Sequence, residues 1–330
     1  MRPSISPIRR LTHFLPLGAA LIAIAAFSFS NRANVKSQLG QHFQDQKPAA
    51  SPTPEEPDDV VRVSTDLVVV NVTVLDKNGT FVTGLKRGDF QVFEDGAPQR
   101  ISTFSAEETP FAAAILLDTS GSMESRLTLG RSAAIRFLDG LRDEDVAAVY
   151  SFDVKVEQWS DFSPGRDLPQ RVYTLKTGTM TALNDAIVRA ADDLAKREEK
   201  RRAIVVLSDG GENYSHASSD KALDRASAAN ATIYGANMAE EGPKRDLTGT
   251  AILKNLTEKS GGRYIDVPGG LELRDSFASI AEELGHQYTI GYRPTNRAHD
   301  GKWRTVQIKL SKPDVTVRTR KGYRAPRDKE

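Results

Sequence analysis

The chain has 330 residues, with 45 Lys+Arg against 44 Asp+Glu, a formal net charge of +1 and no cysteine. That length suits one large domain and one small one. The balanced charge implies no nucleic acid or other polyanion as a partner through the field of the whole chain, and the lack of cysteine excludes disulfides and a lipid-modified amino-terminal Cys.

Residues 14–30 are apolar, follow Arg9 and Arg10, and end in the small residues Ala26, Ser28 and Ser30. This is the layout of a secretory signal peptide. The run contains Pro16 and Gly18 and is short for a spanning helix. Residues 1–32 therefore read as a signal peptide or an uncleaved anchor, which is the one membrane attachment expected. An exported chain without disulfides fits a bacterial envelope, whether periplasmic, secreted or membrane-anchored, better than an animal extracellular matrix. Residues 33–59 are polar, with Pro52, Pro54 and Pro57, and read as a disordered linker.

A β pattern occupies residues 60–108. Val68, Val70, Val72 and Val74 alternate with Leu67, Val69, Asn71 and Thr73, which suits a strand with one buried face. Asn78-Gly79 is a hairpin signal before Phe81-Val82, and Asp95-Gly96 is another between 90–93 and 99–104. About fifty residues of this kind bury little core alone, so the module must lean on something else.

Residues 109–285 alternate strands and helices, the pattern of a mostly parallel sheet covered on both sides. A helix is expected from about Arg126 to Leu141, with Leu127, Ala134, Phe137, Leu138 and Leu141 on one face. A second, Asn184 to Lys196, is amphipathic through Ile187, Ala190, Ala191 and Leu194. The charge run from Lys196 to Arg202 reads as a solvated helix end. Strands are expected at 145–151, 202–208, 232–237 and 263–266, with 154–158 at an edge, and further helices at 219–230, 249–260 and 271–284. Residues 286–325 turn β again (288–292, 303–310 and 315–320) and are expected to complete the amino-terminal β module.

The chemistry concentrates at one place. Residues 112–123 read A-A-A-I-L-L-D-T-S-G-S-M, an apolar run of central-strand type that ends in Asp118, Ser120 and Ser122. Open α/β sheets hold ligands at strand carboxyl ends. One carboxylate and two hydroxyls on a loop loosened by Gly121 can converge on a hard divalent cation. The plainer reading is a strand-to-helix loop in which Asp or Ser caps the next helix. Two further loops decide between them: T-G-T-M-T-A-L-N-D-A-I at 177–187, and the apolar strand ending S-D-G-G at 208–211.

With these three loops, residues 109–285 resemble the von Willebrand factor type A (VWA) family, in which the D-x-S-x-S, G-T-x-T-A-L-x-D-A-I and S-D-G-G segments form a metal-ion-dependent adhesion site. The resemblance implies that Asp118, Ser120, Ser122, Thr181 and Asp209 occupy the five ligand positions, with Asp209 acting through a water. The threonine is placed at Thr181 because the family's lies five residues before a helix alanine, here Ala186; Thr179 is the alternative. The implied fold is α/β: a Rossmann-like doubly wound, mostly parallel sheet, with a small β-sandwich-like module formed from segments before and after it. The implied cofactor is Mg²⁺ or Mn²⁺, with Ca²⁺ weaker. The layout is also similar to a bacterial, acidobacterial-type subgroup of VWA proteins, through L-V-x-V-x-V-T-V-x-D at 67–76, G-L-x-x-x-D-F-x-V-x-E-D-G at 84–96 and R-K-G-Y at 320–323.

Such a ligand set leaves a dication short of negative charge, and a partner's Asp or Glu carboxylate would supply it. Catalytic readings find little support. Residues 119–122, T-S-G-S, lack the G-x-S-x-G nucleophile elbow, the five histidines are scattered, and no H-E-x-x-H or G-x-x-x-x-G-K-[ST] occurs. Asp153, Asp185 and Glu212 read as hydrogen-bonding neighbours rather than ligands. The expectation is a non-enzymatic, metal-dependent protein-binding module for adhesion or assembly. The alternatives are a structural envelope protein with a vestigial site and a metal-dependent hydrolase.

Overall fold

Alternating valines organise the first strand. β1 (Val68–Asp76) turns Val68, Val70, Val72 and Val74 into one buried face. The computed structural model describes residues 67–106, 109–239, 246–266 and 271–328. The expected signal peptide or anchor (1–32) and linker (33–59) lie outside the described residues. No helix among the described residues is long and apolar enough to cross a membrane.

After β1, Asp76 Oδ1 accepts the backbone N–H groups of Asn78 (2.8 Å) and Thr80 (2.9 Å) and closes the Asn78-Gly79 turn. Its expected partner strand shrinks to one bridge, Leu75 to Phe81. β2 (Phe90–Glu94) and β3 (Ala97–Gln99) form the second hairpin, with Asp95 and Gly96 both at positive φ, as a two-residue turn of this hand requires. The expected single strand over 99–104 is broken. Gln99 pairs with Val92, whereas β4 (Ile101–Ser105) crosses to the other sheet and pairs beside Tyr292.

The α/β section follows as β5 (Phe111–Asp118), α1 (Leu127–Asp139), β6 (Val146–Phe152), β7 (Val156–Gln158), α2 (Leu183–Leu194), β8 (Arg201–Ser208), α3 (Ser219–Ala228), β9 (Ala231–Asn237), α4 (Leu247–Ser260), β10 (Tyr264–Asp266) and α5 (Leu271–Gly285). The sheet order is β10-β9-β8-β5-β6-β7, parallel except for the edge strand β7. β5 is central and buried along its whole length. Phe111, Ala113, Ile115 and Leu117 pack toward α1 and α5, while Ala112, Ala114 and Leu116 pack toward α2, α3 and α4. A strand covered on both faces needs no polar alternation, which is why its sequence is a continuous apolar run.

The chain closes with β11 (Tyr288–Tyr292), β12 (Trp303–Leu310), β13 (Val315–Arg318) and β14 (Gly322–Arg324). These return to the amino-terminal strands in two antiparallel sheets, β13-β1-β11-β4 and β14-β12-β2-β3. The sheets face each other across one core containing Val70, Val72, Phe90, Val92, Tyr288, Ile290 and Val306. The α/β domain is thus inserted between strands of a β-sandwich, entered after Ser105 and left before Tyr288.

Two buried polar groups fix the junction. Arg201, fully buried, donates through Nη1 to the carbonyls of Thr109, Leu284 and Gly285, through Nη2 to that of Ala106, and through Nε to Thr289 Oγ1. Of the charge run expected to be solvated over 196–202, residues 196–200 are exposed or half-buried, and the correction falls at Arg201. α2 ends at Leu194, and Arg201 opens β8 as an internal clamp. Glu283, at the end of α5, accepts hydrogen bonds from Thr73 (3.1 Å) and Tyr234 (2.8 Å) and pairs with Arg318.

Candidate metal centre

β5 and β8 are parallel neighbours, so Asp118 and Ser208 end side by side at the carboxyl edge of the sheet. Asp118 is 1% exposed. Its Oδ1 accepts the N–H of Ser120 at 2.8 Å, and its Oδ2 accepts the hydroxyl of Ser208 at 2.5 Å. Ser120 is extended and leads into a short 3₁₀ turn, Gly121–Arg126, which brings Ser122 back until the two hydroxyl oxygens are 3.2 Å apart. Thr119 pins this loop. Its N–H and hydroxyl both donate to the carbonyl of Phe152, and its own carbonyl accepts the N–H of Gly178 at 2.7 Å.

That last bond ties in the second loop. Gly178 lies so close to Asp153 that a Cβ would stand 2.1 Å from the carboxylate, so only glycine lets the two loops approach. Thr181 is buried, with its N–H donating to Asn213 Oδ1 (2.9 Å) and its carbonyl accepting from the N–H groups of Asn213 and Tyr214. The third loop begins at Asp209, whose Oδ1 accepts the N–H of Gly211 at 3.1 Å. Thr181 Oγ1 and Asp209 Oδ1 are each 3.3 Å from the point where a Cβ on Gly211 would sit, which places the two oxygens around one small space. Thr179 is exposed. Gly210 has φ +88° and packs against the backbone of Gly249 in the first turn of α4, which fixes the direction of the Asp209 loop.

All five candidate ligands therefore lie on three interlocked loops. Ser208 joins them, and sequence reasoning missed it. Its hydroxyl bridges Asp118 and the N–H of Gly210, and the one signal for it was its place immediately before the acid of S-D-G-G. Asp185 and Glu212 act as loop braces: Asp185 accepts from the N–H groups of His216 and Ala217, and Glu212 from that of Asn184.

Burial pushes the Asp118 carboxyl up to about 7, against the hydrogen bonds from Ser208 and Ser120, and the Asp209 carboxylate adds repulsion. Neither acid forms an ion pair with Lys, Arg or His among the described residues. Among these residues no three His, Asp or Glu side chains converge. A cation here would draw on two carboxylates and neutral hydroxyls, an all-oxygen set that fits Mg²⁺ or Mn²⁺ and not Zn²⁺.

A doubly wound sheet with a polar site at the strand ends, inserted in a sandwich, defines the class of the molecule. Residues 113–212, the first part of the α/β section, match the family model of the von Willebrand factor type A domain. No curated protein matches the chain in sequence. Among solved structures it is similar to an aerotolerance-related membrane protein from Bacteroides fragilis (19% identity, 53% of this chain and 98% of that one, TM-score 0.44). It is also similar to the PilB minor pilin from Streptococcus sanguinis (13% identity, 54% of this chain and 62% of that one, TM-score 0.44). A von Willebrand factor type A structure from Catenulispora acidiphila has 14% identity over 81% of this chain and 76% of that one, with a TM-score of 0.44.

Proposed function

We propose that this protein is a non-enzymatic binding module in which Asp118, Ser120, Ser122, Thr181 and Asp209 hold Mg²⁺ or Mn²⁺ and a partner protein's Asp or Glu completes the shell. The observation that carries the reading is the buried Asp118 carboxylate, set beside a second acid and three hydroxyls with no cationic side chain paired to either acid. When bound, the cation supplies an electrophilic position for a partner carboxylate. Ser208 and the Ser120 N–H hold Asp118 in place, and Thr119 and Gly178 keep the first two loops together. The apolar segment at 14–30 and the absence of cysteine support the reading that the protein is exported to a bacterial envelope.

The test is capture of a partner from an envelope fraction by the full chain, with release scored in chelator. A partner retained in Mg²⁺, released by chelator and not held by Asp118→Ala supports the reading. One held equally in all three cases sinks it. Metal-dependent hydrolysis of a phosphoester or peptide, lost in Asp118→Ala, would establish an enzyme instead.

A further inference from the structure

A second site lies at the opposite edge of the α/β sheet. A cleft of about 970 Å³ opens between the end of α3, the loop at 293–301 and the strand β14 with the residues after it. Its volume is that of a small-molecule pocket, and its polar lining is dominated by arginine. Arg225 and Arg324 are paired with Asp192 and Asp224, and His299 contacts Asp328. Arg293, Arg297, Arg320 and Arg327 have no carboxylate within salt-bridge distance among the described residues.

Arg320 is the telling member. It is 8% exposed, and its Nη1 donates to the carbonyl and hydroxyl of Ser227 at 3.1 and 3.0 Å. The guanidinium carbon stands 5.5 Å from the centre of the Tyr323 ring. Its Nε has no hydrogen-bond partner. Glu94, the acid behind that ring, is taken up by the hydroxyls of Tyr292 and Tyr323. Burial lowers the Arg320 pKa to about 10, which still leaves it charged at neutral pH. A buried, unpaired guanidinium is costly unless an anion meets it, and its planar fork matches carboxylate and phosphate oxygens. The near-zero net charge of the whole chain conceals this local excess.

We propose that this cleft binds a small organic polyanion, one carrying two or more carboxylate or phosphate groups, with Arg320 gripping one group at the back and Arg293 and Arg297 meeting another at the rim. Neutral walls from Leu67, Pro294 and Pro326 face the body of such a ligand. The site is separate from Asp118 and Asp209, which lie at the carboxyl ends of the strands.

The test is calorimetric titration of the full chain with citrate and with pyrophosphate, with acetate as the single-charge control. Low salt and a metal-free protein keep the chelating probes from reporting on the Asp118 site. Saturable binding of citrate or pyrophosphate is expected, weakened by added salt, with acetate far weaker; the tighter of the two tells carboxylate from phosphate. Arg320→Met and the exposed double variant Arg293→Ser/Arg297→Ser should each weaken binding by roughly tenfold or more. If Arg320→Met does not fold, the rim variant decides alone. Absence of saturable binding by both probes, acetate binding as tightly, or affinity unchanged in the folded variants overturns the proposal.

Discussion

Ser208 donates its hydroxyl to Asp118 Oδ2 at 2.5 Å, joining the ends of two adjacent parallel strands at the point where the site begins. The same hydroxyl oxygen accepts the N–H of Gly210, so one side chain orients both the first acid and the loop that carries the second. Ser208→Ala should cost about 1–3 kcal/mol, because it removes a hydrogen bond from a buried carboxylate and leaves a buried N–H unmet. Urea denaturation checks the stability. Calorimetry should also show weaker Mg²⁺ binding, while Ser208→Thr should retain most of both properties.

Metal should stabilise the fold by mass action. At a free Mg²⁺ or Mn²⁺ concentration a hundredfold above the dissociation constant, the gain is about 2.7 kcal/mol. Ca²⁺ should bind more weakly and Zn²⁺ should not be preferred. Asp118→Ala should abolish the metal-dependent rise in melting temperature. A rise that persists unchanged in Asp118→Ala would place the metal elsewhere.

Thr181 and Thr179 separate cleanly by experiment. Thr181 is buried beside Asp209, whereas Thr179 is exposed. Thr181→Ala should weaken Mg²⁺ binding about tenfold or more, on the scale of a lost hydrogen bond to a charged group, and Thr179→Ala should leave the affinity within experimental error. The reverse ranking in paired titrations would move the ligand to Thr179.

Glu283 is 1% exposed and serves Thr73, Tyr234 and Arg318 at once. Glu283→Ala removes the acceptor of the buried Tyr234 hydroxyl, which keeps only the bond from Gln287 Nε2, and leaves Arg318 without its acid. It should destabilise the protein by roughly 2–4 kcal/mol, with Glu283→Gln milder. Chemical denaturation measures the difference, and a Glu283→Gln variant as stable as the parent would refute the role given to the charge.

Cutting the chain after Leu284 removes β11 and β13, the two strands that pair with β1. Amides over 68–76 should then lose their protection from hydrogen exchange, and Val68, Val70 and Val72 should become accessible. Unchanged protection there would show that β1 is held by something other than those strands.

The sequence made the α/β section legible because β5 and β8 are buried on both faces, and continuous apolar runs ending in polar residues have few other meanings. It also put Asp118, Ser120 and Ser122 on one loop at the carboxyl end of β5, since the apolar run stops there. What it concealed depended on partners far along the chain. The alternation over 99–104 is the same whether the segment stays in one sheet or crosses at Arg100, so the break between β3 and β4 left no mark. Arg201 looked like part of a solvated charge run because nothing local announces the carbonyls of Ala106, Thr109, Leu284 and Gly285 that surround it. The three residues of β14 are too few to carry a period. The cleft at Arg320 was hidden in the same way, because its arginines come from well-separated segments and average out in a near-neutral total.

The insertion of the α/β domain into the sandwich decides how the molecule carries force. β1 runs antiparallel to β11, with Val68 opposite Tyr292 and Val72 opposite Tyr288. The α/β domain is attached at the Tyr288 end, and Ser105, where β4 leaves for the same domain, lies beside Thr289. A pull at Leu67 against a grip on the α/β domain therefore draws β1 and β11 in opposite directions along their length. The cross-strand hydrogen bonds lie perpendicular to that motion, so they are strained together in shear and not peeled one by one. Tension between the two ends of this arrangement is borne by the valine ladder of the sandwich before it reaches the loops that hold Asp118.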